Sequence, residues 1–192
     1  MTTSRIAPLA CTLAVLAACK GGPTVPSPLT GETRYLCCNM HYERTDVTDV
    51  NYLRGTLIPF GTRVQILEVR KNAVKFQPAG HPPITLVQRH GRKVLSMEEY
   101  LDRIFLRADP HDRLPRIGKG GKQAAEAEKV RKQIEQGVVE PGMTRDQVLM
   151  AIGYPPPHRT PSLQAGSWSY WANRWETFDV YFDGDRVARV SR

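Results

Sequence analysis

Apolar and polar residues follow two different periods along the chain, and the period predicts where strands and helices lie. Residues 35–42, 63–69, 73–77 and 84–89 are enriched in β-branched and aromatic residues and are separated by Gly, Pro and Asn, which predicts four β-strands. Val74 and Phe76 alternate with polar neighbours, as expected for a strand that is buried on one face. Residues 34–108 are therefore predicted to form a small β-rich domain.

A helix is predicted at the end of this domain. Ser96 can cap its first turn, and Glu99, three residues later, completes a capping box. Apolar residues then recur at helical spacing on one face, namely Met97, Tyr100, Leu101, Ile104 and Phe105. The helix should pack on the sheet and close the domain. The sequence of residues 55–64, followed by short strands, resembles bacterial SH3-like small barrels, which implies that fold for residues 34–108.

A break in the pattern separates this domain from the rest of the chain. Residues 109–121 are basic and rich in Pro and Gly, which predicts a linker. Helical periodicity returns over residues 122–136, where Glu128 and Lys132 are spaced to form an ion pair. Gly137 is a typical residue for the end of this helix. A second domain is therefore predicted over residues 122–192.

A second, shorter helix is specified by its two ends. Thr144 is the predicted N-cap and Gln147 its capping-box partner, while Met143 and Val148 occupy the two positions of a hydrophobic staple. Gly153 supplies a residue that can adopt a positive φ after the helix. Three strands are predicted to follow, over residues 168–171, 178–182 and 187–190, with an Asp-Gly turn between the last two.

This succession of elements resembles one known family. The order helix, helix, three strands is accompanied by the phrase G-M-T-x-x-x-V, a helix ending in G-x-P, a W-x-Y strand and a final F-D-G-D-R-V hairpin. Together these features are similar to the SmpA/OmlA (BamE-like) family over residues 124–192. The resemblance implies an α+β domain in which two helices pack on a three-stranded antiparallel sheet. It also implies a non-enzymatic scaffold or accessory role in outer-membrane assembly or integrity.

The first residues of the chain resemble a bacterial lipoprotein signal. Arg5 precedes an apolar run, and Leu16, Ala17 and Ala18 stand directly before Cys19. An ordinary signal peptide or a short membrane helix are the alternatives, although the apolar run is shorter than the roughly 20 residues of a membrane span. We expect residues 1–18 to be removed and Cys19 to carry acyl chains. Residues 19–33 contain three prolines and are predicted to form an extended stalk.

The predicted anchor fixes the expected compartment, and the charge suggests partners. Lys20 after Cys19 resembles the pattern of lipoproteins sent to the outer membrane, so we expect a protein that faces the periplasm. The chain has a net charge of +8, and removal of Arg5 with the leader would leave +7. This charge suits anionic lipid or an acidic cell-wall polymer, although basic residues also merely solvate surfaces. Two roles follow: a scaffold that contacts an envelope protein, and a module that binds such a ligand. Nucleic acid is not an expected partner.

Catalytic and metal-binding patterns are not found in the sequence. The five histidines are dispersed, and no HExxH, GxSxG or glycine-rich phosphate loop accompanies them, so we expect no enzyme, cofactor or metal site. Processing and acylation would leave Cys37 and Cys38 as the remaining cysteines. A bridge between neighbours requires a strained peptide, so we expect one buried thiol and one that is partly exposed. A thiol-imidazole pair with His41 would lack a third group to orient it.

One aromatic and basic stretch is a candidate contact surface. The proline-rich sequence of residues 154–161 is followed by a strand and hairpin that hold further cationic and aromatic residues. Rigid segments of this composition lose little entropy on docking and are typical of binding surfaces. The predicted contact residues are His158, Arg159, Trp171, Arg174 and Trp175. The alternative is structural: the prolines lock a crossover loop, and the two tryptophans cover the edge of the sheet.

Overall fold

The computed structural model of the protein describes residues 23–191. The predicted leader, residues 1–18, and the predicted lipidation site Cys19 lie outside the described residues. Within residues 23–191 the chain forms three α-helices and 11 strands in three sheets, so the fold is α+β, as predicted. None of the helices in this range has both the length and the apolar character needed to cross a membrane.

The N-terminal part, residues 23–106, is built mainly from strands. These are β1 (Thr33–Leu36), β2 (Met40–Tyr42), β3 (Asp46–Thr48), β4 (Thr56–Ile58), β5 (Arg63–Arg70), β6 (Ala73–Pro78), β7 (Ile84–Val87) and β8 (Phe105–Leu106). Six of them form one sheet in the order β3-β7-β6-β5-β1-β8, and β2 pairs with β4. Neighbours are antiparallel except β3 and β7, which are parallel. The SH3-like architecture stays a prediction.

The strand predicted over residues 35–42 is divided in two. β1 ends at Leu36 and β2 begins at Met40, because Asn39 leaves the strand path and bonds to the C-terminal part of the chain. The strands predicted over 63–69, 73–77 and 84–89 correspond to β5, β6 and β7. β3, β4 and β8 were not predicted, because each is only two or three residues long and carries too short an alternation to detect.

Helix α1 (Met97–Ile104) closes the first core as predicted. Both hydrogen bonds of the Ser96–Glu99 capping box are present. Tyr100, Leu101 and Ile104 are buried in the same apolar cluster as the inner residues of β5, β6 and β7. Phe105 does not continue the helix but begins β8, which pairs with β1.

The C-terminal part, residues 121–191, contains the two predicted helices and three predicted strands in the predicted order. These are α2 (Gly121–Gln136), α3 (Arg145–Ile152), β9 (Ser167–Trp171), β10 (Thr177–Asp183) and β11 (Arg186–Ser191). The strands form one antiparallel sheet in the order β11-β10-β9. The closer likeness to the SmpA/OmlA domain stays a prediction.

Local signals fix the ends of both helices. The Glu128–Lys132 ion pair forms at 3.0 Å, and Gly137 ends α2 in the left-handed conformation with φ of 68°. Thr144 caps α3 and exchanges both capping-box hydrogen bonds with Gln147. Gly153 follows α3 with φ of 83°, a value that favours glycine.

The segment predicted as a stalk is packed against the sheet from residue 23 onward. We call residues 23–32 the N-terminal strap, because the backbone follows the edge of β5. Its hydrogen bonds join Lys71 N to Pro23 O at 3.0 Å, Val25 N to Val69 O at 3.0 Å and Gly31 N to Ile66 O at 2.8 Å. Val25 and Leu29 pack on the first core. The prolines favour an extended path, but the free edge of β5 gives that path hydrogen-bond partners, so residues 23–33 are not a free stalk.

The predicted linker, residues 109–121, is also partly built into the fold. A 3-10 helix occupies Pro110–Arg113, and Leu114 is buried in the second apolar cluster. Arg113 forms an ion pair with Asp146 at the start of α3. The basic composition suggested a solvated connection, but one apolar side chain and this ion pair hold the segment against the C-terminal part.

Candidate functional site

A buried asparagine joins the two parts of the protein. Asn39 has no exposed surface. Its side-chain nitrogen donates to Ile134 O at 2.5 Å and to Ala151 O at 2.9 Å, which are carbonyls in the last turns of α2 and α3. Its side-chain oxygen accepts from Phe60 N at 2.7 Å. Helix ends leave such carbonyls without partners, so Asn39 satisfies two helix termini with one amide group.

A second asparagine repeats this arrangement beside the first. The Asn51 side chain donates to Asn39 O at 3.2 Å and to Ile152 O at 3.1 Å, and it accepts from His41 N at 3.0 Å. Its φ of 49° is the only positive φ of a non-glycine residue within residues 23–191. Asn tolerates this conformation better than most residues. The two amides therefore form a polar joint that fixes the N-terminal part against α3.

The two neighbouring cysteines lie at the same joint and are bonded to each other. Cys37 and Cys38 form a disulfide, and both residues are buried. The expectation of one buried and one partly exposed thiol is therefore wrong. The bridge becomes possible where the chain leaves β1, because residues 37–39 are not held in the alternating geometry of a strand. Cys38 lines a small cavity of about 30 Å³ together with Asn51 and Gly153.

Two histidines near the joint are shifted toward their neutral form. Burial lowers the pKa of His41, whose Nδ1 is buried and has no hydrogen-bond partner among the described residues. His158 stacks on His90 with ring centroids 5.3 Å apart. Partial burial, and then the charge of His90, lower the pKa of His158. His90 belongs to the N-terminal part and His158 to the C-terminal part, so this pair also spans the joint.

The five predicted contact residues fall into separate places. His158 and Arg159 are exposed in the proline-rich segment beside His90. Arg174 and Trp175 lie in the hairpin between β9 and β10. Among the interactions of residues 23–191, no hydrogen bond, ion pair or ring contact joins the first pair to the second. The structure therefore does not bring the predicted residues together into one cluster.

Trp175 is held out into solvent at the tip of the hairpin. It is 80% exposed, the largest value among the large apolar side chains of the described residues. Asn173 braces the loop, because its side-chain oxygen accepts from Trp175 N at 2.8 Å and from Glu176 N at 3.1 Å. The Arg174 guanidinium lies 4.6 Å from the centre of the Trp175 ring. The exposed indole thus stands on an ordered turn.

Trp171 has different surroundings. It is half-buried at the end of β9, on the opposite face from the buried Trp168 and Tyr170. Its indole N–H is buried without a hydrogen-bond partner among the described residues. Tyr170, on the inner face, donates to Gly153 O at 3.0 Å and ties the sheet to the end of α3.

A groove of about 720 Å³, lined by apolar side chains and by Glu176 and Thr177, runs beside the exposed tryptophan. Trp175 and Phe178 come from the hairpin, Val139 and Ile152 from the segments around α3, and Leu53 from the N-terminal part. Sequence reasoning identified the tryptophan but not the groove, because Leu53 comes from a distant loop.

Side chains that could bind a metal ion are not grouped within residues 23–191, where no three of the His, Cys, Asp or Glu side chains are placed to hold one. Asp49 is buried, but its carboxylate accepts from the backbone N–H groups of Arg89, His90 and Gly91 and is fully occupied in holding that loop.

Comparison of the chain with protein-family models, with curated proteins and with solved structures finds no match. The resemblance of residues 124–192 to the SmpA/OmlA family therefore stays a prediction that depends on the motifs quoted above.

Proposed function

We propose that the protein is a non-enzymatic scaffold or accessory lipoprotein of the bacterial cell envelope. In this proposal acyl chains on Cys19 hold it in the outer membrane, and the folded body faces the periplasm. The contact with an envelope protein is made by the hairpin of Arg174 and Trp175. The lipoprotein-like leader and the SmpA/OmlA-like motifs support the compartment and the role.

The observation that carries the proposal is the exposure of Trp175 on a braced turn. A large aromatic side chain that is 80% exposed leaves apolar surface in water, which burial against a partner would remove. Tryptophan and arginine are the residues most enriched among those that dominate binding energy. Because the turn is already ordered by Asn173, docking would cost little conformational entropy.

The groove beside Trp175 gives the partner a second point of contact. Its walls come from both parts of the protein, which the Asn39 and Asn51 hydrogen bonds hold in place. A partner side chain that enters the groove would meet apolar residues together with Glu176 and Thr177, while Trp175 covers it from one side. A fixed groove between two joined parts suits a scaffold, whose task is to hold another protein in a defined position.

Site-specific photo-crosslinking in living cells tests this proposal. The full chain, with its own leader, carries a benzophenone amino acid at position 175, and adducts are identified by mass spectrometry after purification. We expect one discrete adduct with an envelope protein. The matched control carries the same group at position 117, where Ile117 is 52% exposed. Equal adducts at both positions, or none at position 175, would overturn the proposed contact.

The anchor is tested in the same cells. Labelled palmitate should be incorporated into the wild-type protein, whereas Cys19→Ser, which has no thiol to carry the lipid, should incorporate none. Equal incorporation in the two proteins, or none in the wild type, would contradict lipid anchoring at this residue.

A further inference from the structure

The N-terminal strap brings the predicted anchor close to one end of the large sheet. The first backbone hydrogen bond of the strap joins Lys71 N to Pro23 O at 3.0 Å. Three residues lie between Cys19 and Pro23 in the sequence. An extended chain spans at most about 3.6 Å per residue, so the chain cannot separate the Cα atoms of Cys19 and Pro23 by more than about 14 Å. A protein anchored at Cys19 therefore holds the turn between β5 and β6 near the membrane surface.

The end of the sheet at this turn is basic. Lys71 is exposed in the turn, and Asn72 O accepts from Gln88 N at 2.8 Å, which places the loop after β7 alongside. That loop carries the exposed residues Arg89, Arg92 and Lys93. Four exposed cations thus lie at the end of the sheet where the chain enters the fold. Val94, 47% exposed, adds an apolar side chain beside them.

The loop that carries these cations is held rigidly. The buried carboxylate of Asp49 accepts from three consecutive backbone N–H groups, of which the one from Gly91 is 2.6 Å away. The buried side chain of Gln88 donates to Leu95 O at 2.9 Å and closes the loop at its other end. The cations therefore project from a fixed backbone, which limits the entropy lost when they contact a surface.

Acidic groups lie beside Lys71 but not in the loop after β7. Glu68 is paired with Arg70 and bonded to Thr24, and the hydrogen bonds from these two residues lower the pKa of Glu68 to about 2. Glu99 accepts the capping hydrogen bonds from Ser96. Glu98 and Asp102 line the same groove as Lys71, and both are exposed. The loop after β7 differs, because residues 88–95 include Arg89, Arg92 and Lys93 and no acidic residue.

We propose that this basic end, made of Lys71, Arg89, Arg92 and Lys93, binds the anionic lipid headgroups of the membrane that holds the protein's own acyl chains. The inference rests on the lipid anchor of the proposed function. The short segment between Cys19 and Pro23 would keep the basic end near the membrane, and the positive charge of that end would favour anionic lipid. Each Lys or Arg close to an anionic membrane increases binding by a factor of about five, so four such residues fix the orientation of the body.

Fluorescence quenching by headgroup-labelled lipid tests this orientation. The full lipidated chain is reconstituted in phosphatidylethanolamine vesicles with and without phosphatidylglycerol, and its lipidation is verified from the mass of the N-terminal peptide. An introduced cysteine carries the fluorophore, either Val94→Cys at the basic end or Gln164→Cys in an exposed loop of the C-terminal part. We expect several-fold stronger quenching at position 94 than at 164, but only with phosphatidylglycerol and low salt.

Charge-reversal variants test whether the basic end, and not the net charge of the whole protein, causes the difference in quenching. The variant Arg89→Glu/Arg92→Glu/Lys93→Glu should reduce quenching at position 94 to the level at position 164. The control Arg116→Glu/Lys119→Glu/Lys122→Glu changes three exposed cations elsewhere by the same charge and should leave the difference intact.

The outcomes distinguish this inference from the proposed function. Equal quenching at positions 94 and 164 in lipidated protein would overturn the membrane-facing surface and leave the anchor standing. Strong quenching at position 94 without phosphatidylglycerol would overturn the headgroup selectivity. An N-terminal peptide without acyl chains would refute the anchor itself and, with it, the basis of this inference.

Discussion

The side-chain nitrogen of Asn39 donates to the carbonyl oxygen of Ala151 at 2.9 Å, across 112 positions of the chain. The same nitrogen also reaches Ile134 O, so one buried amide serves the ends of two helices. The predicted two-domain chain therefore has a specific polar joint.

Substitution Asn39→Asp tests the joint with almost no change of shape. It replaces the donor by a carboxylate oxygen that faces two carbonyl oxygens in a buried site, and we expect a loss of about 3 kcal/mol in unfolding free energy at neutral pH. Urea denaturation measures the change. The control Gln164→Glu alters an exposed amide and should stay within about 0.5 kcal/mol. Equal changes in unfolding free energy in the two variants would show that the Asn39 hydrogen bonds do not stabilise the joint.

Gly91 of the N-terminal part packs against Pro157 of the C-terminal part, and substitutions at these two residues test the packing between the two parts. A Cβ added at Gly91 would lie 2.7 Å from Pro157 Cγ, so Gly91→Ala should cost about 1–3 kcal/mol through overpacking. Pro157→Ala removes the closest opposing atoms and leaves Asp49 Oδ2 at 3.1 Å, so a double-mutant cycle should show a favourable coupling of about 1 kcal/mol. Gly118→Ala, where no atom lies within 4 Å of the new Cβ, is the matched control. Additive effects would argue against contact between these residues in solution.

Alkylation followed by mass spectrometry tests the disulfide between Cys37 and Cys38. Protein purified from the envelope without reductant, then denatured and alkylated, should carry no modification at either residue. Prior reduction should expose two alkylated thiols. Because the closed loop contains only two residues, the chain-entropy contribution of the bridge is about 1 kcal/mol, so the reduced protein should remain folded. Two alkylated thiols in the untreated sample would restore the earlier expectation of free cysteines.

Because of the histidines at the joint, we expect the free energy of unfolding to decrease at acidic pH. Burial lowers the pKa of His41, and burial together with the charge of His90 lowers that of His158. The unfolded chain then binds protons first as the pH falls below the ordinary histidine value of 6.5, so unfolding becomes easier. Urea midpoints should therefore decrease between about pH 7.5 and 5.5. The variant His41→Gln/His158→Gln should show a flatter profile, and an unchanged slope would exclude both histidines as the cause.

The sequence predicts the helices of this protein well because their signals are local. Ser96 with Glu99, and Thr144 with Gln147, form their capping boxes within four residues of chain. Gly137 and Gly153 stop their helices through their own backbone conformation. These features need no information about distant residues, so reading the chain in order is sufficient to find them.

The joint and the packed strap depend on distant partners, and the sequence pattern does not predict them. Residues 35–42 look like one strand because Cys37, Cys38 and Met40 are apolar, but the break is decided by carbonyls at residues 134 and 151. The contact surface was predicted as a single cluster because its residues are close in sequence. In the fold, His158 of this set instead stacks on His90 of the N-terminal part, and Arg174 lies in the hairpin between β9 and β10.

The prolines of the N-terminal strap also bear on self-association. Beyond its pairing with β1, the edge of β5 over residues 66–70 would offer unpaired backbone groups to any passing strand, and the strap occupies them. Pro23, Pro26 and Pro28 have no N–H group, so the outer side of the strap is a poor template for another chain. The composition of the N-terminal strap suggested only a spacer. In the structure the strap covers the edge of β5 and would hinder fibril-like stacking of neighbouring molecules.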